Sequence, residues 1–502
     1  MGFDLIGNLA LGAATAFSAA NVLYCLLGVT LGTLIGVLPG IGPSATIAML
    51  LPITFGMDPT SSVIMLAGIF YGAQYGGSIT AILVNLPGEA SSAVTVLDGH
   101  QMARKGQAGT ALAIAAIGSF VAGTIATFLV ALFAPPLAMM ALKFGPADYF
   151  SLIVLGLVFS VSIARGSLLK ALAMIALGLL LGTVGMDTFA GVARFTLGIR
   201  SLTDGLDMIA LALGLFGFAE IIKNLESEEE RRELTTRLSS LMPTPADLLR
   251  SVAPILRGTT VGAILGVLPG GGATLSAFAA YALEKRVSKH PERFGAGAIE
   301  GVASPEAANN AGAQTSFIPM LTLGIPSNPV MALMIAALLI QGIIPGPGIM
   351  NSQPALFWGV IVSMWLGNLF LVILNLPLIG IWVRLLTIPY FILFPLIVVF
   401  SIIGTYSAQT SLVDLYTLSL AGLFGYLLLK LDCEPAPLLL GFILGPRLEE
   451  YFRRALVIEQ GDPAVLFTRP LSLTFLCLAV VMLVLAARPS VARRRTEIFS
   501  GQ

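Results

Sequence analysis

Two short segments rich in glycine and proline carry the residue types best suited to binding a small anion. Residues Gly32–Gly42 read GTLIGVLPGIG and residues Gly262–Gly272 read GAILGVLPGGG, so that seven of eleven positions are identical. A helix that begins just after such a break presents unpaired backbone N–H groups and about half a positive charge. These segments therefore predict two anion sites that need no basic side chain.

Hydroxyl groups follow both breaks. Ser44 and Thr46 fall on the predicted first turn after the first break, and Thr274 and Ser276 fall on it after the second. Their hydroxyls would add hydrogen-bond donors to those of the backbone. The alternative interpretation is that they are small residues used for helix packing.

A second pair of matching segments follows the first in the same order. Residues 72–74 and 312–314 both read GAQ, and LPG at 86–88 is matched by the proline-containing LGIPSN at 323–328. Two sets of matching segments, in the same order and about 230–240 residues apart, predict a tandem duplication. Chance recurrence in a glycine-rich apolar chain is the alternative.

Three carboxylates, Glu89, Glu300 and Glu306, lie in otherwise apolar or small-residue segments. An ionisable group at membrane depth is a functional candidate, and unwound carbonyl groups near the breaks suit Na⁺. We predict that Glu89 and Glu306 couple an ion to function, with Glu300 a weaker candidate. The alternative places each carboxylate in a solvated interfacial loop, without a function.

The sequence predicts neither catalytic residues nor a metal site or cofactor. It contains no nucleophile–base pair, no HExxH, and no Lys-Ser/Thr after either glycine-rich segment that would make a phosphate-binding loop. The two histidines, His100 and His290, are far apart, and the three cysteines have no metal-ligand spacing.

The elements that position these residues must be membrane helices. Of 502 residues, 56% are apolar and 11% are charged, and a spanning helix takes about 20 residues. Nearly continuous apolar stretches such as Ala111–Phe133 and Leu471–Ala487 argue against a β-barrel. The 27 basic and 27 acidic residues balance, which argues against a nucleic-acid binder.

We predict an all-α polytopic membrane protein with about 12 transmembrane segments in two inverted repeats, each with a re-entrant helical hairpin broken at an LPG motif. Clusters of Lys and Arg at 104–105, in the linker and at 285–293 are expected to be cytoplasmic. The chain must enter and return between the linker and Lys285 within about 28 residues, too few for two full spans. Lacking basic residues, the first hairpin should open to the opposite side, which would place a transporter's substrate site near the midplane.

The predicted boundaries are an N-terminal repeat at 1–219, a charged cytoplasmic linker at 220–250, a C-terminal repeat at 251–470, and a last helix with a basic tail at 471–502. The linker is interpreted as a plain connection. After Asp432 the charge pattern assigns no side of the membrane, and the apolar stretch 438–445 is too short to span.

Three runs carry a family resemblance: GVLPGIGPSATIAMLLPITFGMDP, FYGAQYGGSITAILVNLPGEASSAVTVLDGHQMARKG and SPEAANNAGAQTSFIPMLTLGIPSNPVMALM. They resemble the large permease subunit of bacterial tripartite tricarboxylate transporters, over nearly the whole chain up to about Arg469. The resemblance implies a multi-pass secondary transporter of the bacterial inner membrane that imports citrate or another di- or tricarboxylate, driven by Na⁺ or H⁺. It also implies a small four-helix membrane subunit and a periplasmic solute-binding protein as partners, and it allows a homodimer of the large–small heterodimer. An elevator motion is inferred by fold analogy alone.

Carried over to this sequence, the resemblance places the substrate and ion region at 39–46, 85–92, 269–276 and 309–328. Which hairpin binds substrate and which binds ions is left open. A gated anion channel could use the same half-helices and is the alternative function. The predicted substrate-binding residues are Pro39, Gly40, Gly42, Ser44, Thr46, Asn85, Pro87, Gly88, Ser91, Ser92, Gly270, Gly271, Gly272, Thr274, Ser276, Asn310, Gln314, Thr315, Ser327 and Asn328.

The sequence yields one prediction about the breaks themselves. Gly40→Leu or Gly270→Leu should abolish uptake while leaving the protein inserted, because a bulky side chain would block the approach of an anion to the backbone. Uptake assays with a membrane-fractionation control check this. Wild-type rates in both variants would show that the breaks are ordinary kinks.

Overall fold

The computed structural model describes residues 4–38, 42–85, 87–163, 167–187, 189–226, 242–268, 272–385 and 411–487, with isolated positions between 385 and 411. About 81% of the structure is helical. The strands among these residues form one short antiparallel pair, Gly185–Met186 with Ala193–Arg194. The chain is therefore an all-α membrane protein, as the sequence predicts.

The described residues of the first half form seven main helices and a series of short helical turns. The helices are α1 (Leu5–Ala16), α2 (Ala19–Val37), α3 (Pro43–Leu50), α4 (Pro59–Val84), α5 (Ala108–Ala141), α6 (Pro146–Ile163) and α7 (Leu168–Gly182). Short helical turns occupy Leu51–Gly56, Ala90–Ser92, Ala93–Thr95, Val96–His100, Gln101–Arg104 and Arg200–Asp204. A helical stretch made of Met208–Ala212, Leu213–Phe218 and Ala219–Glu226 leads towards the charged linker.

The second half begins with a matching pair of helices around the second break. The main helices are α8 (Pro245–Val267), α9 (Gly272–Val287), α10 (Glu300–Thr315), α11 (Phe317–Leu323), α12 (Pro329–Ile340), α13 (Pro354–Asn375), α14 (Leu412–Lys430), α15 (Pro435–Ile458) and α16 (Pro470–Ala487). Shorter helices lie at Pro291–Arg293, Ile349–Ser352, Ile379–Leu385 and Val465–Thr468.

Capping residues set many of these boundaries. Asp58 accepts backbone N–H groups at the start of α4, and Asn328 does the same for α12; in both cases proline is the next residue. Such caps satisfy the free N–H groups of a first turn, and proline there has no N–H to satisfy. Asn85 and Gly324, 239 residues apart, end α4 and α11 in the left-handed conformation.

Glycines allow very close helix packing in both halves. On α2, a Cβ added at Gly32 would overlap the carbonyl oxygen of Ile69 on α4, and its neighbours Gly28 and Gly36 face the same helix. On α8, a Cβ at Gly262 would overlap the carbonyl oxygen of Ala308 on α10. Such small-residue contacts let membrane helices approach closely. Helices 230 residues apart thus use the same packing, which supports the predicted duplication.

Six of the described helices are long and apolar enough to cross a membrane: α2, α5, α8, α13, α14 and α16. The larger number of about 12 crossings stays a prediction. Beyond Asp432, α15 continues without interruption from the apolar stretch 438–445 into a charged stretch that includes Arg447 and Glu450.

The glycine packing generates a stability prediction. Gly32→Val and Gly262→Val should each lower the free energy of unfolding by roughly 1–3 kcal/mol or more, because the new side chain meets backbone that cannot rotate away. Thermal unfolding of the purified protein measures this. Gly380→Val is the matched control, since a Cβ at Gly380 meets nothing within 4 Å; equal melting temperatures for all three variants would contradict the packing argument.

Candidate functional site

The described residues on both sides of each LPG break are helix ends. In the region of the first LPG break, α2 ends at Val37 and α3 begins at Pro43, with Gly42 in the N-cap position and no capping side chain. In the second, α8 ends at Val267 and α9 begins at Gly272. The predicted tip residues Pro39, Gly40, Gly270 and Gly271 lie outside the described residues.

In each half, the glycine-rich break lies against the later matching segment, which is 86–88 in the first half and 323–328 in the second. In the first half, Gly88 packs so closely on Gly36 and Gly77 that an added Cβ would overlap them. In the second half, a Cβ at Gly272 would lie 3.2 Å from Cβ of Asn328. Close backbone approach at these glycines therefore brings the distant predicted segments together.

The helix that follows each glycine-rich break also packs against the other half of the chain. Helix α3 contacts α12, which starts directly after the segment 323–328. Helix α9 contacts the turns at Ala90–Ser92 and Ala93–Thr95, which follow the LPG segment at 86–88. All four predicted segments thus belong to one connected region.

Hydroxyl groups near the helix starts fall into two groups. Thr46 donates to the carbonyl oxygen of Gly42 at 3.1 Å, and Ser276 donates to that of Gly272 at 2.7 Å, so their protons are used within their own helices. Thr315 likewise donates to the carbonyl oxygen of Ala311. Ser44 and Thr274 are half-buried, which makes them the hydroxyls best placed to meet a ligand.

Glu306 lies at the centre of the buried polar region and is 0% exposed. Its carboxylate accepts hydrogen bonds from Ser78 at 2.6 Å, from Thr95, and from Asn309 at 3.5 Å. Ser78 and Thr95 come from the first half of the chain, more than 200 residues away. The carboxylate therefore links the two halves through hydroxyl groups.

Glu89 is a second buried carboxylate and lies directly after the LPG segment at 86–88. The Ser91 hydroxyl contacts the Glu89 carboxylate and lies 2.7 Å from Oε1 of Gln74, while Ser92 bonds the Glu89 backbone. The turn 90–95 thus carries contacts to both predicted ion-coupling carboxylates.

The two GAQ motifs also supply acceptors to this region. Oε1 of Gln314 accepts a bond of 3.4 Å from Thr127, and Gln74 lies beside Ser91. Asn310 donates to Ser119 at 2.7 Å, and Ser119 donates to the backbone carbonyl of Glu306 at 3.3 Å. These bonds satisfy polar groups that would otherwise be costly to bury.

Other predicted residues line the edges of the breaks. Asn85 and Pro87 are exposed. Asn328 caps α12 and donates to Ser316 at 3.2 Å, and the hydroxyl of Ser327 is buried without a hydrogen-bond partner among the described residues. The Ser327 hydroxyl is therefore available to a ligand.

Within the described part of the chain, no basic side chain pairs with Glu89 or Glu306. Glu300, the third carboxylate considered from the sequence, instead forms an ion pair of 2.8 Å with Arg250 near the start of α10. The site is thus built from hydroxyls, amides and helix ends, with two carboxylates that have no cationic partner among the residues described here.

One structural anchor was not recognised from the sequence. Asp98 is fully buried, and its Oδ1 accepts backbone N–H groups of Gly295, Gly297 and Ala298 at 2.8–2.9 Å. Its Oδ2 accepts the Tyr281 hydroxyl at 2.9 Å. Asp98 follows Thr95 by three residues and holds the loop that leads into α10, so it helps to place Glu306.

Sequence reasoning also missed Ser78, Thr95 and Ser119. A signal existed for Ser78, which lies four residues after Gln74 and therefore on the same face of α4. Thr95 and Ser119 have no distinguishing sequence pattern, because their partners come from the other half of the chain.

The chain matches known proteins over most of its length. The family model described as "Tripartite tricarboxylate transporter TctA family" matches residues 22–440. An Agrobacterium vitis protein described as "Uncharacterized 52.8 kDa protein in TAR-I ttuC' 3'region" is 60% identical over 496 residues, which cover 99% of both chains. A second protein of that organism, "Uncharacterized protein in TAR-II ttuC' 3'region", is 59% identical over 238 residues, or 47% of this chain and 98% of its own. No solved structure matches the chain.

The Asp98 anchor generates a prediction. Asp98→Asn should lower the free energy of unfolding by at least about 2 kcal/mol, because three backbone N–H groups lose a charged acceptor. Thermal unfolding checks this, with Asp247→Asn as the control: Asp247 is a half-buried carboxylate that accepts the Thr244 backbone N–H in the capping box of α8, and its loss should cost less than about 1 kcal/mol. A smaller loss at Asp98 than at Asp247 would contradict the anchoring role.

Proposed function

We propose a substrate for this chain, which belongs to the tripartite tricarboxylate transporter TctA family and is a membrane subunit of such a transporter. The substrate is a small carboxylate of the citrate or other di- or tricarboxylate class, which the transporter imports. This is a transporter family and not an enzyme family. Import would be driven by a gradient of Na⁺ or H⁺, since the sequence contains no nucleotide-binding motif.

One observation carries the proposal for the substrate site. Two helices, α3 and α9, start directly after the breaks, and each has a half-buried hydroxyl, Ser44 or Thr274, on its first turn. A helix start attracts negative charge through its free N–H groups and its dipole. A di- or tricarboxylate carries several negative groups, so one molecule could use both helix starts.

The buried carboxylates support coupling to a cation. Glu89 and Glu306 lie among hydroxyls and amides rather than beside Lys or Arg, and an intramembrane carboxylate of this kind is a default candidate for ion coupling. Cation binding near Glu306 would offset the negative charges brought by the substrate, so that both cross the membrane together.

The matching features of the two halves support the proposed architecture. The glycine-packed pairs α2–α4 and α8–α10, and the left-handed helix ends at Asn85 and Gly324, occur in the same order in both halves. We propose two inverted repeats with about 12 crossings and an elevator motion of the hairpin-containing part, as in transporters whose half-helices face the midplane.

The family name implies a tripartite system. We propose that the two other components are a small four-helix membrane subunit and a periplasmic solute-binding protein that delivers the carboxylate. The complex would lie in the bacterial inner membrane, with a homodimer of the large–small heterodimer as its assembled form.

Uptake into proteoliposomes tests the function. The complete transporter should accumulate a carboxylate against its gradient when a Na⁺ or pH gradient is imposed, and it should catalyse counterflow. Ser44→Ala and Thr274→Ala should each raise the half-saturating concentration roughly two- to tenfold, because each removes about one hydrogen bond to the substrate.

Thr30→Ala is the matched control, since the Thr30 hydroxyl donates to the carbonyl oxygen of Leu26 within α2, away from the break. Unchanged half-saturation in both test variants would contradict the proposed substrate site. Purely electrodiffusive flux, without accumulation or counterflow, would show a gated anion channel instead.

A further inference from the structure

A small cavity lies directly beside Glu306. Besides apolar side chains from three helices, its wall contains five residues with side-chain oxygen atoms, and it has room for about one water molecule. It lies between α4, α5, α10 and α13, so both halves of the chain contribute to it. The oxygen-bearing residues are Tyr75, Ser78, Ser119, Glu306 and Asn375.

The hydroxyl protons around this cavity are committed to other partners. Ser78 donates to the Glu306 carboxylate, Ser119 donates to the Glu306 backbone carbonyl, and Tyr75 donates to Oδ1 of Asn368 at 3.1 Å. A hydroxyl has a single proton and two lone pairs. Ser119 already accepts the Asn310 amide at 2.7 Å, which leaves it one lone pair, and among the described residues Ser78 and Tyr75 keep both lone pairs for a species inside the cavity.

Asn375 adds an acceptor that has no hydrogen-bond partner in the described part of the chain. Its Nδ2 donates to the carbonyl oxygen of Leu371 at 2.8 Å, and its Oδ1 is buried without a hydrogen-bond partner among the described residues. Asn375 is only 3% exposed. A buried carbonyl oxygen left in this way is costly, and a ligand in the cavity would satisfy it.

The charge around the cavity is negative. Glu306 has hydrogen-bond donors but, within the described residues, no ion pair with Lys or Arg. A buried carboxylate without a cation is unfavourable in a medium of low dielectric constant. Carboxylate, amide and hydroxyl oxygens are the ligand atoms that a hard cation prefers.

We infer that this cavity binds Na⁺, with Glu306, Asn375, Ser78 and Ser119 as its oxygen ligands. The inference rests on the proposed function, because it names the coupling ion of that transporter and the place where it binds. It also assigns Asn375, on a helix that the sequence motifs do not include, as a cation ligand.

Binding of Na⁺ to the purified full-length chain tests the inference. Equilibrium binding of ²²Na⁺ and thermal unfolding are measured in NaCl and in choline chloride at equal ionic strength. The wild-type protein should show saturable Na⁺ binding and a melting temperature that rises with Na⁺ concentration. Asn375→Ala and Ser119→Ala should each weaken Na⁺ binding at least tenfold, and Glu306→Gln should abolish it.

Two comparisons separate a ligand from a merely buried group. Ser363→Ala, which removes a buried hydroxyl bonded within the same helix, α13, should retain wild-type Na⁺ binding. In choline chloride, Asn375→Ala should melt no lower than wild type, because it removes an unsatisfied oxygen. Should Glu306→Gln fail to fold, the Asn375 and Ser119 variants still decide the question.

Three outcomes would overturn the inference: no saturable Na⁺ binding by the wild type, wild-type Na⁺ affinity in Asn375→Ala, or equal loss of affinity in Ser363→Ala. The first would indicate that the cavity holds only water. Carboxylate uptake by the complete transporter is measured in parallel, under a Na⁺ gradient and, separately, under a proton gradient in Na⁺-free buffer. Uptake without Na⁺ binding would overturn this inference alone, whereas Na⁺ binding without any carboxylate uptake would overturn the proposed function alone.

Discussion

A carboxylate buried among apolar helices must be stabilised by hydrogen bonds or by a cation, and Glu306 imposes this requirement on everything around it. Ser78 and Thr95 provide hydroxyl donors from the first half of the chain, and Asn309 provides an amide from the second. Because the donors come from both halves, the carboxylate fixes how the halves meet. Asp98 acts in the same manner one helical turn after Thr95, where its carboxylate holds backbone N–H groups of the loop before α10.

These contacts depend on helices that approach more closely than ordinary side chains permit. The glycines of α2 and α8 lie against the backbone of α4 and α10, and Gly88 lies against Gly36 and Gly77. Glycine weakens an isolated helix, so its use here is justified only by the packing it allows. That packing draws the helix ends at the breaks towards the polar centre, and a ligand held by backbone dipoles needs this proximity.

Much of this arrangement is visible in the sequence because it repeats there. The matching glycine-rich segments predict the helix breaks near Gly42 and Gly272, and carboxylates in otherwise apolar segments single out Glu89 and Glu306, both of which are buried. Thr95 could not be predicted as a partner of Glu306, because a threonine in a membrane helix has the same sequence signature whether it faces lipid, a carbonyl of its own helix or a distant carboxylate. Asn375 was not identified for the same reason, since only folding brings Asn375 of α13 to the cavity that Glu306 lines.

The central claim is that a negatively charged substrate is held at the starts of α3 and α9 by backbone amides and hydroxyls, with charge compensation by a cation beside Glu306. A cryo-electron microscopy map of the transporter with bound carboxylate tests this most directly. The account predicts ligand density in contact with both helix starts, near Ser44 and Thr274, without a Lys or Arg side chain touching it. Ligand density held by an arginine or lysine elsewhere, or helix starts that both open to the same face of the membrane, would contradict it.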